Sequence, residues 1–233
     1  MWYKEISKDS DVVISSRIRL ARNIKGYNFE NILKDKEKES VINYLENVVK
    51  NTEYKLLKMS NIDDITKLSL VEQHIISKEF VTNELGAIIT NDDSSLVTMI
   101  NEEDHLRMQA FMSGFNINSC YKKIKSFEEK LGESIEYIKS DKYGYLCSCP
   151  TNVGSGMRAS VLLHLPGLSK VGLLNKVLDQ VSSIGISVRG LYGENTNSEG
   201  YIYQISNQKT LGISDENIIS NMEKLLFQSH LKK

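Results

Sequence analysis

Proline is scarce in this chain. Only Pro150 and Pro166 occur among 233 residues, and no Pro-, Gly- or Ser-rich stretch reads as a linker. The chain therefore reads as continuous folded structure, long enough for one large domain or two small lobes with a real core. Cysteine is also sparse. Cys120, Cys147 and Cys149 make an odd count, which argues against a disulfide framework and for a reducing, cytoplasmic setting. Cys147-x-Cys149 has one intervening residue, and no second Cys or His pair completes a zinc site, so no metal site is expected. No apolar run approaches the roughly 20 residues that cross a bilayer. The opening residues, Met1-Trp2-Tyr3-Lys4-Glu5, lack the apolar stretch of a secretory leader. Neither sign of charge is in excess: the formal net charge is −1, so neither nucleic acid nor a membrane is expected as the main partner. There is no internal repeat.

What is present is an ordinary globular balance, 40% hydrophobic and 25% charged. Val12-Val13-Ile14 opens a strand that runs through Ser15-Ser16-Arg17-Ile18-Arg19-Leu20, with Arg17 and Arg19 on one face and Ile18 and Leu20 on the other. Val41, Tyr44, Leu45, Val48 and Val49 fall at helical spacing within 37–50. Gly86 to Thr90 and Leu96 to Ile100 read as a hairpin turning at Asn91-Asp92-Asp93. Helices are expected over 103–113, 122–138, 171–184 and 214–231, the last with Ser214 as N-cap and Glu216 in its first turn. Strands are expected at Tyr143 to Ser148, Met157 to Leu163, Ile186 to Leu191 and Tyr201 to Ser206. Strands often follow strands directly, which gives an α+β class with a largely antiparallel sheet flanked by helices.

Four polar strings interrupt this pattern. Ser15-Ser16-Arg17-Ile18-Arg19 puts two arginines on one strand face, where guanidinium forks suit a polyphosphate; the plainer reading is a solvated face. Asn101-Glu102-Glu103-Asp104-His105-Leu106-Arg107 gathers charge at a strand end, with Glu103 placed to act as a base; the plainer reading is an acidic helix start. Cys149 to Ser160 holds Gly154-Ser155-Gly156 ahead of Arg158, so the backbone can approach a ligand. It lacks the Lys-Ser/Thr of a P-loop and the third glycine of a dinucleotide fingerprint, and a hairpin turn explains it equally. Arg189-Gly190-Leu191-Tyr192-Gly193-Glu194 ends a strand in a polar loop that offers a second carboxylate or merely an exposed acid. His74 and His164 each stand alone among apolar neighbours and read first as structural groups.

Together the four strings resemble the catalytic domain of the phosphagen (ATP:guanidino) kinase family, and within it the bacterial protein-arginine kinase branch. Leu56-Leu57-Lys58-Met59, Val71 to Ser77, His164-Leu165-Pro166, Gln204 to Gln208 and Thr210-Leu211-Gly212 belong to the same resemblance, which runs from about Asp11 to Phe227. It implies a cupped antiparallel sheet flanked by helices, of the phosphagen-kinase/glutamine-synthetase-like kind. It implies ATP as phosphoryl donor, with Mg²⁺ carried by the nucleotide. Ser15, Ser16, Arg17, Ile18, Arg19, His74, Arg107, Arg158, Ala159, Ser160, Val161, Leu162, Arg189, Gly190, Leu191, Tyr192 and Gly193 are the implied nucleotide-site residues. Glu103 and Glu194 are the implied carboxylates at the acceptor guanidinium, either of them the base. Cys149 resembles the cysteine beside that guanidinium, either tuning it as a thiolate or standing by as an oxidation-sensitive thiol.

The resemblance further implies protein substrates with exposed arginine, and a stress-response repressor and the Clp degradation machinery as partners. It implies one catalytic domain over 1–233, without the helical domains found before it in animal relatives and after it, binding phosphoarginine, in bacterial ones. Thr82-Asn83-Glu84 departs from the Pro-containing stretch usual after the histidine motif. Two other functions remain open at this point: a kinase for free arginine, and a silent module that binds nucleotide or a partner.

Overall fold

The computed structural model describes residues 2–4, 7, 9–183, 185–190 and 199–228. Its centre is an eight-stranded sheet. In chain order the elements are β1 (Val13–Arg22), α1 (Asp35–Val49), β2 (Lys55–Lys58), α2 (Asp64–Glu72), β3 (Ala87–Thr90), β4 (Leu96–Ile100) and β5 (Leu106–Ser113). Then follow α3 (Ile117–Gly132), the two-residue pair β6 (Lys139–Ser140) and β7 (Gly144–Tyr145), β8 (Met157–His164), α4 (Pro166–Lys170), α5 (Leu174–Ser183), β9 (Ile186–Gly190), β10 (Ile202–Asn207) and α6 (Asp215–Gln228). The sheet order is β2-β3-β4-β5-β1-β8-β10-β9, and every pairing is antiparallel. The first strand of the chain thus lies in the middle, between β5 and β8.

Side chains alternate across this sheet, and the two faces have different fates. One face carries Ile18, Leu20, Met108, Ala110, Ala159, Val161, Tyr203 and Ile205 into the main core. The amphipathic helices cover it: α1 through Val41, Leu45 and Val49, α3 through Ile117, Cys120, Ile124, Phe127 and Leu131, and α6 through Ile218 and Met222. The other face splits. Over β3 and β4, Ile88, Val97 and Met99 pack beneath Met59, Ile75, Ile76 and Phe80 in a second, smaller core. Over β5, β1 and β8 the same face carries arginines.

Several expectations need correction. Residues 103–113 are not a helix; they form a turn and then β5. The alternation Leu106-Arg107-Met108-Gln109-Ala110 marks the strand, but the acids ahead of it mimic a helix start. The helix expected over 122–138 lies at Ile117–Gly132, after which Tyr137 pairs with Ile24 and the Ile138 N–H donates to Asn23 O at 2.8 Å. The helix expected over 171–184 is present as α5, starting at Leu174 after Gly172, where φ is +69°, separates it from the short α4. Of Tyr143 to Ser148 only Gly144–Tyr145 is strand. Ser214 does cap α6, accepting the Asn217 N–H on its hydroxyl and the Ile218 N–H on its carbonyl.

Candidate active site

Register places the arginines together. Arg17 lies opposite Ser160 on β8 and Phe111 on β5, Arg19 lies opposite Arg158 and Gln109, and Arg107 lies opposite Ala21. Odd positions on β1 and β5 and even positions on β8 and β10 therefore share one face. That face holds Arg17, Arg19, Arg107, Arg158, Leu162 and Gln204, with Arg189 opposite Gln204 on β9.

The electrostatics confirm the crowding. Burial first, then Arg107 and Arg158, push the Arg17 guanidinium down to about 10. Burial, followed by Arg17, Arg107 and Arg158, holds Arg19 well below the ordinary arginine range, with Glu102 acting in the opposite sense. Arg158 is lowered by burial, Arg189 and Arg107, while Glu103 and Cys149 support its charge. The Arg19 Nε is buried with no acceptor among the described residues. Guanidinium groups crowded on one face in this way suit an anionic group, which would offset their mutual repulsion.

The acids stand at one end of this face. Asn101 to His105 form the turn between β4 and β5, with Asn101 at φ +59° and its N–H donating to His105 O. Glu102 accepts from Ser77 Oγ at 2.8 Å and pairs with Arg107. Glu103 accepts from Asn152 Nδ2 at 3.3 Å. Asp104, fully buried, accepts at 2.7 Å from Asn23 Nδ2 and from the Ser148 N–H, tying the turn to the loop that carries Cys149. Cys149 itself caps the 3-10 turn Pro150–Asn152, its Sγ 3.0 Å from Thr151 Oγ1.

The opposite end of the face opens into a cleft of about 350 Å³, lined among others by Ser15, Arg17, His74, Ser160, Leu162 and Gln204. Arg17 spans it, donating from Nε to Ser160 Oγ at 3.4 Å and from Nη2 to Gln204 Oε1 at 3.3 Å. His74 overhangs the cleft at φ +56°. Gln109 holds that overhang down, donating to Ile75 O at 2.9 Å. Partial burial, then Arg17 and Lys78, keep the His74 pKa below its usual value.

The sequence-predicted residues thus divide. Ser15, Arg17, Arg19, His74, Arg107, Arg158, Ser160, Leu162, Arg189, Glu103 and Cys149 gather on or beside one face. Ser16, Ile18, Ala159 and Val161 do not reach it. They are buried on the helix side, with Ser16 Oγ donating to Gly114 O at 2.8 Å, and they serve the face only as strand backbone. Gly190 ends β9 opposite Tyr203. Leu191, Tyr192, Gly193 and Glu194 lie outside the described residues. Sequence reasoning passed over Glu102, Asn152, Gln204 and Asp104. The first two stand inside strings already singled out, and Gln204 alternates with the buried Tyr203 and Ile205. Asp104 stands in the acid string too, but its anchoring role had no signal, since its partners Asn23 and Ser148 are remote in sequence.

A family model described as the ATP:guanido phosphotransferase C-terminal catalytic domain matches residues 36–228. The chain belongs to the ATP:guanido phosphotransferase family. It is 42% identical over 233 residues to a protein-arginine kinase of Clostridium acetobutylicum, and 37% identical over 230 residues to one of Clostridium tetani. Each match covers 97% of this chain and 68% of the relative, so the chain spans about two thirds of their length. Solved structures of the family have the same fold. The duplicated taurocyamine kinase of Schistosoma mansoni, with bound transition-state-analogue components, matches at a TM-score of 0.82 and 26% identity, over 96% of this chain and 33% of that one. A lombricine kinase matches at 0.80 and 25%, over 95% of this chain and 67% of that one. The ATP:guanido phosphotransferase fold is therefore the antiparallel sheet expected from the sequence, and the chain is a guanidino phosphotransferase.

Proposed function

We propose that this chain transfers the γ-phosphoryl group of ATP to the guanidinium of arginine side chains in proteins, with residues 1–233 acting as one catalytic domain. The observation that carries the chemistry is the single sheet face that holds Arg17, Arg19, Arg107 and Arg158, with Glu103 near enough to support the charge of Arg158. Support for a protein acceptor comes from the 37–42% identity to protein-arginine kinases, against 25–26% to the taurocyamine and lombricine kinases.

A guanidinium is a poor nucleophile, because its proton leaves only above pH ~12 and its lone pairs are delocalised. Two carboxylates overcome this by gripping the planar cation, fixing one nitrogen in line with the γ-phosphorus and taking the proton as the N–P bond forms. Glu103 fills one of these roles and Glu194 the other. Asn152 holds the Glu103 carboxylate from the side by its hydrogen bond. The arginines balance charge on the transferring phosphoryl group and the leaving ADP. Glu102 fixes Arg107 for this task through their ion pair. The donors on this face are mainly guanidinium groups, which take phosphate oxygens. They fit a nucleotide that brings Mg²⁺ on its own phosphates, and the ion would add neutralising charge there. The resemblance supports a stress-response repressor and the Clp degradation machinery as partners, and a cytoplasmic setting.

The test is a phosphorylation assay with Mg-ATP and an arginine-rich protein, read by mass spectrometry for acid-labile phosphate on arginine. Label is expected with the native chain and not with Glu103→Ala or Glu194→Ala. Label on free arginine with none on protein overturns the protein acceptor.

A further inference from the structure

We infer that Trp2 and Tyr3, on the turn Trp2–Lys4 ahead of β1, form the outer wall of the nucleoside cleft, and that the Trp2 indole binds the base of the nucleotide. The inference rests on the proposed use of the arginine face for the phosphates. With the phosphates over Arg17, Arg19 and Arg158 and the acceptor at Glu103, the nucleoside must lie towards the other end of the strands. There the cleft changes character. Beside Arg17, Ser160 and Gln204 it is lined by Trp2, Tyr3, Ile14, Phe111 and Leu162.

Three observations single out Trp2. Its ring stacks on Phe111 at 5.3 Å and 18°, and Phe111 is the cross-strand partner of Arg17, so the aromatic pair stands in register with a phosphate arginine. Tyr3 meets Trp2 edge-on at 5.7 Å and 87°, and stays 46% exposed at the rim. The Trp2 Nε1 is buried with no acceptor among the described residues. An unpaired buried donor is an unfavourable state that a ligand acceptor relieves. A purine offers both a π face for stacking and ring nitrogens that accept hydrogen bonds. Inorganic polyphosphate offers neither.

That contrast supplies the experiment. The chain has one tryptophan, so indole emission reports Trp2 alone. Mg-ATP is expected to change the emission saturably. Magnesium tripolyphosphate, followed by thermal shift, is expected to bind without doing so. Trp2→Ala should raise the KM for ATP about tenfold, the scale of one base–aromatic stack. It should leave kcat at saturating ATP and the tripolyphosphate affinity unchanged, and Trp2→Phe should restore most of the ATP affinity. An unchanged KM for ATP in Trp2→Ala overturns the inference. So does equal weakening of ATP and tripolyphosphate, which would mark Trp2 as a structural residue only. Failure of both ligands to bind the native chain, or binding that Arg19→Ala leaves intact, would instead overturn the use of the arginine face, and this inference with it.

Discussion

Arg19 shows how much a residue owes to its neighbours. In sequence it is one arginine in an alternating strand. In the folded chain its Nε is buried without an acceptor among the described residues, and Arg17, Arg107 and Arg158 all work against its charge. A phosphate group would supply both the missing acceptor and the missing negative charge. Arg19→Ala should therefore lower kcat/KM about 10²- to 10³-fold, in the range of losing one preorganised transition-state donor. Initial rates of arginine phosphorylation measure this, and a rate within a few-fold of the native chain would remove Arg19 from the site. The β1 arginine face was legible in the sequence because Ile18 and Leu20 mark the buried face and leave Arg17 and Arg19 on the other. The partnership of Glu102 with Arg107 was not. It depends on a tight turn rather than on any periodic pattern.

Among the elements, the β4–β5 turn is the least predictable and the most consequential. His105 closes it, buried completely. Its Nδ1 accepts the Ile24 N–H at 3.0 Å, and its Nε2 donates to Asn28 O at 2.7 Å. Burial holds its pKa below the usual 6.5, against the raising effect of the Asn28 carbonyl and Asp104. The unfolded chain then binds more protons than the folded one as pH falls below about 6.5. Stability is full above that pH and declines beneath it, and His74, shifted the same way, adds to the slope. Thermal unfolding across this range should show Tm falling with acid, and His105→Gln should flatten the fall. The loop from β7 to β8 has its own constraint at Gly156, where φ is +62° and an added Cβ would stand 2.5 Å from Arg22 Nη1 and 2.7 Å from Ala21 O. Gly156→Ala should destabilise by roughly 2 kcal/mol or more, measured by urea denaturation. The same loop carries Cys149 and Asn152, so activity should fall more steeply than stability.

At the scale of the whole molecule, the sheet is pinned to its helix layer by a buried ion pair. Arg22, at the end of β1, meets Glu128 of α3; both are essentially inaccessible, and Lys125 reaches the same carboxylate. Arg22 also donates to Ser155 O at 3.0 Å and stacks over the Tyr145 ring at 3.5 Å, so one guanidinium joins β1, α3 and the Cys149 loop. Glu128→Gln should cost about 3–5 kcal/mol, because it strands a buried cation. A denaturation midpoint close to that of the native chain would show that Lys125 and water take up the charge instead.

Residue order was enough to read the α+β class, the alternating faces of β1 and β8, most helices, and the strings in which the family resemblance lies. These signals are local: a period of two or 3.6, a capping serine, a run of charged residues between apolar ones. Tertiary structure was needed to show that 103–113 is a turn and a strand, since the acids of the turn mimic a helix start and compete with the short alternation from Leu106 to Ala110. It also decided that four arginines from three strands share one face, that Asp104 joins the acid turn to the cysteine loop, and that Trp2 stands at the far end of the cleft. Each of these depends on which strands pair and in what register, and antiparallel pairing between segments up to about 150 residues apart leaves no mark at either end of the contact.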